Sequence, residues 1–391
     1  MNPIILALFD VSIFILLAEI LSSLVQKYGL PKLIGELLAG MIIGPYALGS
    51  LLNQLLGFPL IGINSYIEFL AEFSVILLIF ASGLEHGIAP IKSSGILGFL
   101  GATFGALLPF FAAYYFYISS FGLDSALILG TAMGATSLAA VASIIEEGKL
   151  KGKGINFMVS SAAADDVVDL LLLSVVIAIL QGESTSVTSI SLKIIALVVI
   201  WVVILVVSII LIPKITDRIS DKYIEEFPLA VLFGLTLLMV SLGYSPIISA
   251  FVAGVAFANS VKNSKIKEIS STLLSVFGPL FFVYIGAEVN FLTLNLNTVI
   301  LSLELTAIAT IFKWLGIFPF ALAYLRNAKA ANTVALGMVP RGETGLVIAS
   351  LGLSYNALNQ EEFEGIVFMS IFTTLIGSAL FKIYAKKHLV S

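Results

Sequence analysis

Residues 160–173 read Ser160-Ser161-Ala162-Ala163-Ala164-Asp165-Asp166-Val167-Val168-Asp169-Leu170-Leu171-Leu172-Leu173, and the fold turns on how that stretch is read. Two adjacent carboxylates, with a third one turn later, interrupt a mainly apolar run from Ile155 to Leu180, 26 residues. A run of that length crosses a bilayer with some tilt. At 1.5 Å per residue, Asp165 and Asp166 lie about 15 Å in, near the membrane midplane. A carboxylate at that depth costs about 2.5–3.5 kcal/mol even on the lenient insertion scale. Such a pair either binds protons or small cations, or forms a buried ion pair that only ties helices together. The midplane depth favours the first.

The rest of the composition agrees. Hydrophobic residues make up 59% of the 391 residues and charged residues 11%, against about 25% charged in an average soluble domain. This predicts an all-α polytopic membrane protein; the short alternating segments of a β-barrel are absent. There is no cysteine, so disulfides and thiolate metal sites are excluded. The first apolar segment has no basic leader or small-residue cleavage site and reads as a retained helix. The polar loops are too short for a soluble domain, so residues 1–391 read as a single transmembrane domain.

Apolar runs and polar breaks predict 13 transmembrane helices, at roughly 3–24, 32–52, 65–84, 94–118, 124–145, 155–181, 189–212, 227–243, 246–260, 270–287, 297–324, 331–353 and 363–384. Of the 20 Lys and Arg, 17 then fall on one side, among them Lys27, Lys92, Lys149, Lys214, Lys262, Arg326 and Lys386. The opposite side carries Asp124, Glu183, Glu288, Glu361 and Glu362, with Lys193 alone. The positive-inside rule puts the N-terminus outside and the C-terminus inside, in a multi-pass protein of the cell membrane. The two remaining cations, Lys313 and Arg341, fall near mid-span in spans eleven and twelve. They are the only intramembrane cations available to the aspartates.

A faint internal repeat is visible. Leu33-Ile34-Gly35-Glu36-Leu37-Leu38-Ala39-Gly40 echoes Ile247-Ile248-Ser249-Ala250-Phe251-Val252-Ala253-Gly254, and Ser82-Gly83-Leu84-Glu85 echoes Ile285-Gly286-Ala287-Glu288. Met133-Gly134-Ala135-Thr136-Ser137 matches Met338-Val339-Pro340-Arg341-Gly342 in position. All three pairs are seven spans apart, and an odd offset inverts the second half. The halves run roughly 1–181 and 227–384, with 189–212 as a linker helix. Inverted-topology repeats with a site at their midplane describe secondary transporters.

Spans five and twelve are where helices should break, giving two discontinuous crossing helices. Pro340 lacks a backbone donor, and Gly342 and Gly345 loosen the same turn. Freed carbonyls at that depth are tolerated where they line a site. Thr136 and Ser137 add hydroxyl oxygens that suit Na⁺, unless they simply bond back to the preceding turn. Arg341 and Glu343 read as a structural pair or as caps on the broken-helix dipoles. Glu36 and Glu72 lie within spans, and each either lines the cytoplasmic funnel or pairs with a neighbour. Asp10, Glu19 and Glu304 have no evident partner in sequence. His86 and His388 sit at cytoplasmic ends, away from the midplane.

Ala164-Asp165-Asp166, Ala135-Thr136-Ser137, Lys313 and Pro340-Arg341-Gly342-Glu343-Thr344-Gly345-Leu346 together resemble the monovalent cation:proton antiporters. The likeness is to the thirteen-span electrogenic sodium/proton antiporters of the NapA and NhaA kind, and it extends to Ile34–Gly40 and Gly44-Pro45. The resemblance implies that Asp166 is the central cation- and proton-binding carboxylate, and that Asp165 joins it while paired to Lys313. Thr136 and Ser137 lie beside the ion. It also implies a homodimer in which a core domain carries the ion against a dimerisation domain, and a part in pH homeostasis. Asp169 departs from the family pattern, where a small or apolar residue is usual, and reads with Glu72 as a possible accessory.

The chemistry follows from proximity. Two neighbouring carboxylates in low dielectric do not both ionise cheaply, so protons or a metal ion such as Na⁺ at Asp165 and Asp166 compensate them. When Na⁺ takes Asp165, Lys313 loses its counter-ion and a proton leaves it too, so more than one proton exchanges per sodium. No Walker-type phosphate loop is present. Neither nucleotide, nucleic acid nor any cofactor is expected, only the transported Na⁺ and H⁺, membrane lipid and a second copy of the chain. An intramembrane aspartyl protease needs its aspartates on separate facing helices, whereas these are adjacent and about 100° apart. A passive cation channel and a potassium/proton antiporter are the remaining alternatives.

Overall fold

The computed structural model describes residues 3–57, 60–87, 95–137, 139–181 and 187–389. Lys92 and Glu183 of the charge pattern lie outside the described residues, as do the side chains of His86 and Lys193. Among the described residues every regular element is a helix. In chain order these are α1 (Pro3–Lys27), α2 (Lys32–Ile43), α3 (Leu48–Leu56), α4 (Ser65–His86), α5 (Gly95–Gly134), α6 (Ala139–Glu147), α7 (Lys153–Leu180) and α8 (Val187–Thr216). They continue with α9 (Phe227–Ser241), α10 (Pro246–Phe257), α11 (Asn263–Ala287), α12 (Leu296–Leu325), α13 (Ala328–Gly337), α14 (Glu343–Ser354) and α15 (Gln360–His388).

Among the described residues, α1, α2 with α3, α4, α5, α8, α11, α12 and α15 are long and apolar enough to cross a membrane, and α9, α10 and α14 are shorter apolar helices. The chain is a multi-pass membrane protein. α7 has the length, 28 residues or about 42 Å, and carries its three aspartates at mid-helix.

Spans four and five are the two helical halves of α5, separated as expected at Gly122, whose non-helical backbone with a φ of 87° is open to glycine and strained for other residues. One predicted boundary changes. Span two is split between α2 and α3. The two expected breaks are present: α5 stops at Gly134 and the helix resumes as α6, and α13 stops at Gly337 before α14 starts at Glu343. Local chemistry marks these ends. The Asn327 side chain accepts the Lys329 and Ala330 N–H groups at the start of α13. α15 opens on a capping box between Asn359 and Glu362, and Ser125 of α5 donates to the same Glu362 carboxylate at 3.1 Å.

The chain forms two compact units. The first comprises Met1–Ala71, Ile91–Asp169 and Pro279–Ser391; the second comprises Glu72–Pro90 and Leu170–Gly278. In the first, Phe157 and Met158 of α7, Ile317 of α12, Val334 of α13 and Phe381 of α15 share one buried core. In the second, Phe73 packs on Phe233 and Phe277, and the Tyr244 hydroxyl donates to the Leu197 carbonyl at 2.6 Å.

Each unit contains a close crossing of the same kind built on a pair of glycines. In the first, a Cβ on Gly40 of α2 would run into the Val283 carbonyl of α11, and a Cβ on Gly286 into the Leu37 carbonyl. In the second, a Cβ on Gly254 of α10 would run into the Phe80 carbonyl of α4, and a Cβ on Gly83 into the Phe251 carbonyl. Gly40 and Gly254 are the positions aligned by the sequence echo, as are Gly83 and Gly286. Each crossing therefore joins a helix of one sequence half to a helix of the other. That exchange is why both compact units draw on both halves.

Candidate functional site

α7 places Asp165 and Asp169 four residues apart on one face, with Asp166 turned about 100° away. Asp165 and Asp169 are fully buried, and Asp166 is partly buried. Opposite them, α12 approaches α5 so closely that a Cβ on Gly316 would lie 2.5 Å from the Phe104 carbonyl oxygen. One turn before Gly316, Lys313 reaches the end of the first half-helix. Its Nζ donates to Asp165 Oδ1 at 2.7 Å, to Asp165 Oδ2 at 2.8 Å and to the Gly134 carbonyl at 2.7 Å. These three bonds use all three ammonium donors. Gly134 is the last residue of α5, so its carbonyl is one that the helix end leaves open.

The two helix breaks meet. Ser137 donates its backbone N–H to the Pro340 carbonyl at 2.9 Å and its hydroxyl to Glu343 at 2.7 Å. The Thr136 hydroxyl reaches the Met338 carbonyl at 3.4 Å and also lies against the Asp165 carboxylate. Neither hydroxyl bonds back to its own preceding turn, unlike Thr131, whose hydroxyl donates to Leu127 at 2.7 Å.

Arg341 is fully buried in the second break. Its Nη1 donates to the Met338 carbonyl at 3.3 Å and lies 3.5 Å from the Thr136 hydroxyl, and Nη2 donates to Ala309 at 3.1 Å. Thr373 accepts its backbone N–H at 3.2 Å, and Thr374 donates to its carbonyl. Arg341 thus serves the Met338 carbonyl just beyond α13 and the Ala309 carbonyl of α12, and Glu343, the first residue of α14, accepts from Ser137.

The structure thus brings together Asp165, Lys313, Thr136, Ser137, Arg341 and Glu343, with Asp166 and Asp169 on the same helix as Asp165. Glu72 lies in the second unit with an exposed side chain. Glu36 pairs with Lys32 at 3.2 Å, and Glu19 lies 3.9 Å from the same lysine. Glu304 accepts from Tyr117 at 3.3 Å. Sequence reasoning missed the Gly134 carbonyl as the third arm on Lys313, and Thr373 and Thr374 as the holders of Arg341. The signal for the last two is a pair of hydroxyls inside an apolar helix.

The chain is similar to known transporters over nearly its whole length. The sodium/hydrogen exchanger transmembrane family matches the chain over residues 12–387. A "Na(+)/H(+)-K(+) antiporter" of Bacillus cereus, GerN, is 29% identical over 96% of this chain and 95% of its own length. A "Na(+)/H(+) antiporter" of Enterococcus hirae is 26% identical over 94% of each. The chain is also similar to the K(+)/H(+) antiporter subunit KhtU of Bacillus subtilis, at 25% identity over 88% of this chain and 86% of that protein. Among solved structures, the sodium proton antiporter MjNhaP1 of Methanocaldococcus jannaschii shares the fold with a TM-score of 0.74, at 16% identity, covering 99% of this chain and all of that one.

Proposed function

The chain belongs to the sodium/hydrogen exchanger family and is a monovalent cation/proton antiporter, and from that premise we propose that it exchanges Na⁺ or Li⁺ for protons through Asp165 and Asp166. The observation that carries the proposal is the fully buried Asp165–Lys313 pair set against the open carbonyl at the end of α5. A carboxylate in that position has two competitors for one berth, an ammonium and an incoming cation. Asp166 beside it supplies the exchanged proton, and the Thr136 and Ser137 hydroxyls add oxygens at the joined breaks.

Occupancy of the pair by a cation or by protons lowers the cost of moving it through apolar surroundings, so coupling follows if only a neutralised site moves. An elevator-type movement with alternating access fits this requirement, with more than one proton leaving per cation. Thirteen crossings, inverted repeats around a linker α8, the N-terminus outside and a homodimer complete the proposal. The repeat reading draws support from the matched glycine crossings.

Potassium is the second reading. Oxygen ligands suit both ions, and the relatives include antiporters named for Na⁺ and for K⁺. The deciding experiment is proteoliposome exchange with Na⁺, Li⁺ and K⁺ supplied in turn at several pH values. Proton movement driven by Na⁺ or Li⁺ and not by K⁺ is the expected outcome. Movement with K⁺ alone reassigns the cargo, and movement with none of them removes the proposal.

A further inference from the structure

Asp169 is a fully buried carboxylate with no donor. Among the described residues neither of its oxygens receives a hydrogen bond, whereas buried carboxylates ordinarily have partners. Lys313 has nothing left to give it, because its three N–H groups are committed to Asp165 and Gly134. Arg341 directs both Nη groups to Met338, Thr136 and Ala309. The sequence supplies no third cation at that depth to answer it.

Asp169 nevertheless lies beside the group that Lys313 holds. A Cβ on Gly134 would come within 2.9 Å of Asp169 Oδ1, and the carbonyl of that same Gly134 accepts from Lys313. On α7 the two carboxylates are one turn apart, with Cβ atoms about 5–6 Å from each other. A lysine stem is long and flexible enough to cover such a step. The groups facing Asp169 are Asp165 and Asp166 on α7, the negative end of α5 at Gly134, Lys313 on α12 and Arg341 between α13 and α14. With Lys313 bonded to Asp165, the near neighbours on α7 and α5 oppose a second negative charge.

We propose that Asp169 is a second berth for Lys313, carrying a proton while the ammonium sits on Asp165 and releasing it when a transported cation displaces the ammonium one turn along α7. The inference rests on Asp165 and Asp166 being the cation site. Every charge is accounted for: two protons leave for each cation that enters, so the site becomes one unit more negative. The cation replaces Lys313 on Asp165, the ammonium keeps its charge by pairing with Asp169, and the Asp169 proton leaves to solvent with the one from Asp166. The second proton then comes from Asp169 and not from Lys313. Asp169 is a positioning residue here, since it meets the ammonium and not the cation.

The test counts protons released when Na⁺ or Li⁺ is added to the purified full-length protein in detergent, which needs no transport. Asp169→Asn should lower the release by about one proton per cation and raise the half-saturating cation concentration about tenfold or more, because the displaced ammonium has nowhere to go. Asp169→Glu should restore the wild-type count, which a space-filling role does not predict. A wild-type count in Asp169→Asn overturns the inference, as does equal loss in the Asn and Glu variants. If Asp169→Asn does not insert, Gly134→Ala crowds the carboxylate without removing it; an unchanged half-saturating concentration there also overturns it. Asp166→Asn separates this from the underlying site: wild-type release in that variant defeats the cation site itself, whereas lost release there supports the site and leaves the Asp169 variants to decide the second berth.

Discussion

Lys313 and Arg341 are both sealed inside the first unit, each fully buried, and they are held in opposite ways. Lys313 is bonded to a carboxylate and a single carbonyl. Arg341 faces carbonyls of Met338 and Ala309 and the Thr136 hydroxyl, and hydroxyls of α15 hold its backbone. A carboxylate is a partner that a proton or another cation can claim. A backbone carbonyl has no net charge and cannot leave the chain. In the function proposed above, the first cation responds to occupancy, while the second holds two broken helices together. Equal burial conceals unequal duties, and the identity of the acceptor separates them.

The largest expected effect falls beside Lys313. Asp166→Asn should abolish exchange in proteoliposomes while the protein still inserts and elutes as a single species. Wild-type exchange in that variant removes Asp166 from the site.

The next effect concerns the pair itself. Asp165→Asn or Lys313→Gln alone strands a buried charge at a cost of about 3–5 kcal/mol, read as a lower thermal midpoint. The two changes together should recover most of that loss, and any exchange that survives should carry little net current per cation. If the double variant exchanges with the wild-type current, Lys313 is a structural tie, as Arg341 is.

Arg341→Lys comes third. A single ammonium cannot span the same acceptors, so one or two carbonyls lose their donor at about 1–3 kcal/mol each. This loss should persist when Asp165→Asn is added, because the guanidinium donates to carbonyls and a hydroxyl and not to that carboxylate. Rescue by Asp165→Asn would show that the two cations share one counter-charge and would break the comparison. The smallest effect belongs to the hydroxyls: Thr136→Ala with Ser137→Ala should weaken cation half-saturation by roughly a few-fold, a hydrogen bond's worth, with folding nearly intact. Unchanged kinetics would return both hydroxyls to a purely structural role at the joined breaks.

Much of this arrangement is legible in the residues. A 26-residue run with carboxylates at its middle announces a membrane helix with a working centre. Pro340 and Gly342 foretell the second break because one lacks an amide proton and the other a side chain. The echo between Gly40 and Gly254 is visible because close helix crossings admit nothing larger, and that demand recurs in each half. The break at Gly122 is legible too, because it falls in the interval left between the fourth and fifth apolar runs.

Sequence by itself determined which segments are apolar enough for a membrane, that Asp165, Asp166, Lys313 and Arg341 fall within apolar runs, and where the helices break, since each depends on residue type and on distance along one chain. Tertiary structure alone decided which charge meets which. Asp165 and Lys313 are 148 positions apart, and three aspartates on α7 were available to two cations. Helical periodicity sets the face a side chain occupies on its own helix, but not how the neighbouring helix is rotated or how near it comes. Those are fixed by packing between helices, through contacts such as Gly316 against Phe104. Only when α12 settles against α5 do the ammonium donors reach Asp165 and Gly134, leaving Asp169 without a hydrogen-bond partner among the described residues.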